Sequence, residues 1–429
     1  MTKQEFHLGH GIRLHTVQTR KFKVSRLSVS FICKADSLYS PLTKLMFSVL
    51  LRGSEKYPTV TQINKRLDEL YGSTVSFRCL QAGERHIFKI ICEFLDESYI
   101  PQKDIVNTFS GTLEVIKDIL FHPKRNKDGK LDNAYIDSEK KIAIDGIRAK
   151  INDQRAYSAE RCRQILFGSD PRGILIDGTE DMINEFNADD VERCLSVILD
   201  KALIECFYVG PEDGENIADS ISSLFEEIKF RGAVSEIYSY KAFSKKNNLS
   251  EVTERFSVSQ GRLNIGFICD TVPGDDRYFS MCLFNEIFGG SSVSKLFMNV
   301  REKKSLCYYC SSDYMKSSGV ILVSCGIKSG NRDIVYKEIM SQLESIKMGN
   351  ISDEELNSAK KILTNALKQV DDSTAAIESY NFEQLLAGTE MDTEYCLRKI
   401  NEVTKAEIAG CAELVYPNAV FFLCGEDTI

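Results

Sequence analysis

The sequence predicts an α+β fold with two homologous domains, each an antiparallel-rich β-sheet with helices packed on one face. Three observations predict it. Residues 26–33 read RLSVSFIC and residues 262–269 read RLNIGFIC, differing only at Ser28/Asn264, Val29/Ile265 and Ser30/Gly266. At the same offset Gly53 matches Gly289, Lys65 matches Arg301 and Leu70 matches Leu306; DSEKKI (137–142) then echoes NSAKKI (357–362), and ECFYVGPED (205–213) echoes FFLCGED (421–427). A plan used twice points to an internal duplication. Finally, strand-like and helix-like stretches are mixed without regular βαβ alternation, which favours α+β architecture.

Composition and size agree. A chain of 429 residues exceeds what one core usually supports. We therefore expect an N-terminal domain over 1–228, a connection over 229–257 and a C-terminal domain over 258–429. Hydrophobic residues at 43% and charged residues at 27% are those of a folded chain rather than a disordered one. A net charge of −8 offers no basic footprint for nucleic acid. No apolar run reaches membrane-spanning length, and the opening MTKQEFHLGHGIR has no signal-peptide core. The 14 cysteines are scattered, many inside apolar runs such as Phe31-Ile32-Cys33 and Leu423-Cys424, so they read as reduced core residues. The expectation is a cytoplasmic protein that binds neither nucleic acid nor membrane.

In chain order, HGIRLHTVQT and SRLSVSFIC read as strands, and a short apolar helix over 44–51 stops at Gly53. Thr59 and Gln62 form a capping pair for a helix whose apolar positions are Val60, Ile63, Leu67 and Leu70, ended by Gly72. Strands return over 73–96, helical spacing dominates 101–120 and 134–167, and a helix near 189–200 precedes the strand LIECFYVG. The polar stretch 229–257 reads as a partly structured connection. The second half repeats the order: strand 262–269, helices 276–288 and 292–305 around Gly289-Gly290, strands within 307–328, helices 332–347 and 352–369, and a last strand 419–424.

Two segments, PLTKLMFSVLLRGSEKYPTVTQINKRLDELYG (41–72) and FGGSSVSKLFMNVREKKSLCYY (288–309), resemble the pitrilysin/insulinase-type (M16) metallopeptidases. The likeness is to the short two-domain branch and its zinc-less YmfF-like members. It implies the LuxS/MPP-like metallohydrolase fold and a clamshell of two such chains around an unfolded peptide. The family's active signature is H-x-x-E-H on a helix, with a later glutamate ligand. Histidines one helical turn apart bind Zn²⁺ together, and the glutamate between them serves as general base. Counted back from the Arg52-Gly53-Ser54 turn, the histidine positions hold Lys44 and Ser48, and the base position holds Phe47. The third ligand falls seven residues after Glu139, at Gly146; the adjacent Asp145 points about 100° away on a helix. A zinc site of the family kind is therefore not expected in this chain. His7, His10 and His15 match no standard metal spacing and read as a surface strand and turn.

What the resemblance preserves is an Arg–Tyr pair in the run Arg301-Glu302-Lys303-Lys304-Ser305-Leu306-Cys307-Tyr308, with serine in place of the family's glycine. In the family this pair binds substrate backbone and stabilises the tetrahedral oxyanion opposite zinc. A guanidinium fork and a phenol suit that task. Without the resemblance, Arg301 would read as a solvated helix charge and Tyr308 as a strand-core aromatic. Cys307-Tyr-Tyr-Cys310 is a single C-x-x-C without a second pair, and reads as core or edge cysteines. Gly289-Gly290-Ser-Ser lacks the G-K-[ST] of a phosphate loop and reads as a turn. The strand STVSFRC (73–79) lies where relatives add substrate as an extra strand.

The resemblance thus implies a non-zinc-binding subunit of a heterodimeric zinc peptidase. Its partner would be a similar-sized M16-like chain with intact H-x-x-E-H, carrying the zinc, and the substrate an unfolded peptide. The competing expectation is a non-catalytic structural or peptide-binding protein, comparable to the M16-like core subunits of respiratory complexes. Hydrolysis by this chain alone through an unfamiliar metal site is a third possibility, and it predicts stoichiometric metal in the purified protein.

Overall fold

The computed structural model describes residues 1–9, 11–101, 106–228, 238–244 and 248–425. His10, parts of the expected connection (229–237 and 245–247) and the last residues of the C-terminal echo, from Glu426 on, lie outside them.

The duplication is visible as topology. In the first half β1 (Thr2–His7), β2 (Ile12–Gln18), β3 (Val24–Lys34), β4 (Thr74–Ala82), β5 (Arg85–Leu95) and β6 (Leu203–Gly210) form a sheet of order β1-β2-β6-β3-β5-β4. In the second half β7 (Ser250–Phe256), β8 (Gly261–Ile268), β9 (Cys307–Met315), β10 (Val320–Ile327) and β11 (Tyr416–Gly425) take the order β7-β11-β8-β10-β9. Leaving β1 aside, the orders correspond strand for strand. Each sheet has one parallel pair, β2 with β6 and β7 with β11, and antiparallel pairs elsewhere. The RLSVSFIC and RLNIGFIC segments are the central strands β3 and β8. The strand β7 falls inside the stretch read as a connection, where its alternating exposure, typical of an edge strand, hid it among polar residues.

Each sheet buries one face under helices. In the first half α1 (Tyr39–Leu50), α3 (Thr108–Phe121), α7 (Ala188–Lys201) and α8 (Gly214–Leu224) supply Leu45, Ile116, Ile198 and Ile221 to a core with Val29, Phe31, Phe88 and Ile204. Between them run α2 (Val60–Glu69), α4 (Asn133–Ala149), α5 (Gln154–Phe167) and α6 (Glu180–Glu185). In the second half α9 (Tyr278–Asn285), α10 (Arg332–Lys347) and α14 (Lys405–Ala412) supply Phe284, Ile339 and Ile408 against Ile265, Val323 and Phe422. The remaining helices there are α11 (Asp353–Lys368), α12 (Thr374–Ala387) and α13 (Thr393–Glu402).

The opposite face of each sheet is covered by a segment from the other half of the sequence. One compact unit comprises Met1–Arg148, Ile174–Ile237 and Asp371–Phe382; the other comprises Ala149–Gly173, Tyr238–Val370 and Glu383–Ile429. In the first unit Ile377 of α12 packs with Val17 and Val209. In the second, Cys162, Leu166 and Phe167 of α5 pack with Ile268, Phe421 and Leu423. The Tyr157 hydroxyl and Arg161 Nε also donate to the Glu254 carboxylate, at 2.7 and 2.9 Å. The helical stretch expected over 134–167 is thus two helices. Asp153 caps the second, accepting from the Ala156 amide at 3.0 Å, and an Asn-Asp pair at the break was the available signal.

Candidate functional site

In the first half the site positions sit on α1. Lys44 and Ser48 lie one turn apart and both are half-buried. The Lys44 ammonium is paired with the Asp177 carboxylate. Beside them burial pushes the Cys79 thiol up to about 12, with Lys44 drawing it down and Asp177 adding to the rise. Phe47, between Lys44 and Ser48 along the helix, is enclosed in the core and is 1% exposed. Its ring stands 5.1 Å from Phe31, 5.0 Å from Phe77 and 6.1 Å from Phe88, so the base position is part of the aromatic core. Gly146 lies on the exposed side of α4, where an added Cβ would meet nothing within 4 Å. Packing therefore does not demand glycine there, although glycine costs the helix about 1 kcal/mol relative to alanine.

Glu139, on the same helix, is held by Arg52: the guanidinium Nε lies 2.7 Å from its carboxylate. Burial raises the Glu139 pKa and Arg52 opposes the rise. An ammonium, a phenyl ring, a hydroxyl and a glycine form no zinc donor set, so the residues present do not fit the family's metal. Among the described residues no cluster of three or more His, Cys, Asp or Glu side chains could hold a metal ion.

The glycines that set the register have one physical cause in both halves. A Cβ on Gly53 would lie 2.5 Å from the Pro58 carbonyl oxygen, and one on Gly289 would lie 2.7 Å from the Ser312 backbone nitrogen. Both are closer than real Cβ contacts allow, and both obstacles are backbone. Gly289-Gly290, expected as a turn, are instead the last two residues of a π-helical segment, Glu286–Gly290; the turn follows over 291–294, before a second π-helical segment, Leu296–Lys303. Periodicity at 3.6 residues cannot announce that widening, and π-turns are frequent at functional sites.

Arg301 lies in the second π-segment and Tyr308 on β9, an edge strand. The Arg301 side chain is 39% exposed; its Nε is 3.5 Å from Glu302 and its guanidinium lies 4.6 Å over the Phe297 ring. Tyr308 is 57% exposed and is no core aromatic. The β9–β10 register shifts between Gly326 and Ile327, leaving Tyr308 as the extra residue of a bulge. Bulges re-aim side chains next to sites. The two side chains share no hydrogen bond.

Ser305 adopts φ +50°, in the left-handed region, which accounts for the family's glycine at this point of the motif. Ser305→Gly is expected to stabilise the chain by about 1 kcal/mol, read as a higher urea midpoint with unchanged m.

β4 forms the other end of the first sheet, paired with β5 alone among the described strands, and its Thr74, Ser76, Arg78 and Leu80 are exposed in alternation.

Comparison with known proteins places this geometry. The family model described as "Peptidase M16 inactive domain" matches residues 185–363. The chain is 29% identical over 425 residues to the "Probable inactive metalloprotease YmfF" of Bacillus subtilis strain 168, covering 97% of this chain and 96% of that protein. A conserved protein of Enterococcus faecalis V583 superimposes with TM-score 0.90 at 28% identity, over 99% of both chains. A peptidase M16 inactive domain from Pseudomonas fluorescens shares the fold, with TM-score 0.79 at 16% identity, over 99% of this chain and 98% of that one. Repeat, fold and full-length likeness point the same way: the chain is similar to M16-type proteins, and the description of the family model and that of the Bacillus relative both name an inactive form.

Proposed function

We propose that this chain is the zinc-less subunit of a two-chain M16-like peptidase that hydrolyses unfolded peptides. The partner is a similar-sized M16-like chain with an intact H-x-x-E-H, and its zinc supplies the activated water. On this chain Arg301 holds a substrate carbonyl through its guanidinium fork, and the Tyr308 phenol donates to the oxygen on which charge develops. An extended peptide adds alongside β4 by backbone pairing, which tolerates many sequences.

One asymmetry carries the reading. The base position of the first half is closed into an aromatic core, whereas the arginine and tyrosine of the second half stand open to solvent. Loss of constraint on the whole molecule would not be expected to spare one side. The description of YmfF as a "probable inactive metalloprotease" fits a chain that does no chemistry by itself.

The test is Arg301→Ala in the complex recovered from cells producing the tagged chain. Chelator-sensitive kcat/KM is expected to fall by at least about tenfold, the loss of one transition-state contact. A value within about twofold of wild type would remove the transition-state role. A chain recovered alone and inactive would leave the structural or peptide-binding reading in its place.

A further inference from the structure

The C-x-x-C motif is more than two isolated cysteines. On a regular strand, residues three apart point to opposite faces. Here the bulge at Tyr308 shifts the phase: Cys310 pairs with Cys325 and Cys307 pairs with Ile327, two positions further along β10. Cys307 and Cys310 therefore face the same side. Cys310 and Cys325 sit directly across the antiparallel ladder with their sulfurs 2.9 Å apart. Directly opposed residues on antiparallel strands have Cα separations of about 4.5–5.5 Å, inside the range that a disulfide spans. Cys310 and Cys325 are buried, at 3% and 0% exposure, while Cys307 is half-buried and borders both Cys310 and Arg301.

We propose that Cys307, Cys310 and Cys325 form a peroxide-oxidised thiol relay that ends in a Cys310–Cys325 cross-strand disulfide. Cys307 is the entry point, since it alone of the three is open to solvent. Its sulfur attacks a peroxide oxygen; an S–O bond forms, the O–O bond breaks and the other oxygen leaves as water or alcohol. The Cys310 sulfur then attacks the sulfenic sulfur of Cys307, forming an S–S bond and releasing water. Cys325 attacks the Cys310 sulfur, closing the buried disulfide and returning Cys307 as a thiol. The peroxide is reduced by two electrons and one pair of thiols is oxidised. The product ties β9, the strand that carries Tyr308, covalently to β10. This assignment stands on the thiol geometry alone and does not depend on the peptidase reading.

The neighbouring Cys310 thiol and burial hold the Cys307 thiol well above its ordinary value, with Arg301 drawing it down. Because the thiolate is the nucleophile, oxidation is slow at neutral pH and accelerates as pH rises.

The experiment treats the reduced full-length chain with hydrogen peroxide, blocks free thiols in denaturant and maps all cysteines by peptide mass spectrometry. The expected result is joint loss of Cys310 and Cys325 from the blocked pool, a linked peptide two hydrogens lighter than its parts, and reversal by dithiothreitol. Cys307→Ser, at a half-buried position, is expected to slow this by about tenfold or more, and Cys325→Ser to stop at a Cys307–Cys310 link. Free Cys310 and Cys325 after other cysteines have oxidised would overturn the site. Wild-type kinetics in Cys307→Ser would overturn the relay.

Discussion

Phe47→Glu, which returns an acid to the base position, is expected to unfold the first unit rather than to prepare a catalytic site. Phe47 is fully enclosed by Phe31, Phe77 and Phe88. Removing a buried phenyl ring costs about 3–5 kcal/mol, and the carboxylate adds a desolvation penalty. The total rivals the whole stability of a domain, about 5–15 kcal/mol. Burial would raise the folded-state pKa of the new carboxyl above its unfolded value. The folded chain then binds the extra proton, so stability is greater at acid pH and falls as pH rises through that window. Urea unfolding at pH 5 and pH 7 separates the contributions: part of the loss should be recovered at pH 5, while Phe47→Leu should lose less and show no such dependence. Wild-type stability for Phe47→Glu at pH 7 would mean that the pocket is adaptable and the aromatic filling incidental.

That expectation also marks how far the sequence could be read. The repeat, the two sheets and their central strands were legible because a strand's identity is carried by contiguous apolar letters. Counting back from Gly53, which the Pro58 carbonyl pins, leads to three positions on one helix, α1. What filled the space was not legible. Phe77 comes from β4, and nothing local in STVSFRC says that its phenylalanine closes on Phe47. The C-x-x-C reads from sequence as core or edge cysteines for want of a second pair, and nothing local announces the one-residue bulge that reverses the face assignment and puts Cys307 and Cys310 on one side. Least visible was the exchange of helices between halves. α5 and α12 carry weak amphipathic patterns, as helices with contacts on several sides do, and no local signal tells which sheet receives them. Lys89 illustrates the same limit: in HIFKIICEFL it looks like a solvent-facing lysine, yet it is 3% exposed.

Its burial has a distant cause, and removing that cause should produce the other large effect. Glu378, on the α12 segment lent to the first unit, is 1% exposed. It accepts from the Lys89 ammonium at 2.5 Å, from the Ser28 hydroxyl at 2.9 Å and from Arg26 Nε at 3.3 Å. The ammonium also stands 3.6 Å over the Phe382 ring. Glu378→Ala would leave Lys89 buried without its counter-charge and is expected to cost about 3–5 kcal/mol in chemical denaturation. Glu93→Gln is the control: its carboxylate also meets Arg26 but is 41% exposed, and its loss should cost less than about 1 kcal/mol. Burial lowers the Lys89 pKa from its ordinary 10.5, Glu378 restores part of it, and Arg26 lowers it further. With a depressed folded-state pKa the unfolded chain binds more protons, so stability rises with pH between the folded value and 10.5. Deleting Glu378 removes the group that holds the proton on, so that rise should begin at lower pH in Glu378→Ala than in wild type. Adding Lys89→Met should recover most of the loss and flatten the pH response, because an apolar pair replaces a broken ion pair. Equal stability for Glu378→Ala and Glu93→Gln would mean that residues 371–382 are dispensable to the first core. The predicted difference would instead make that core dependent on a segment borrowed from the far half of the chain.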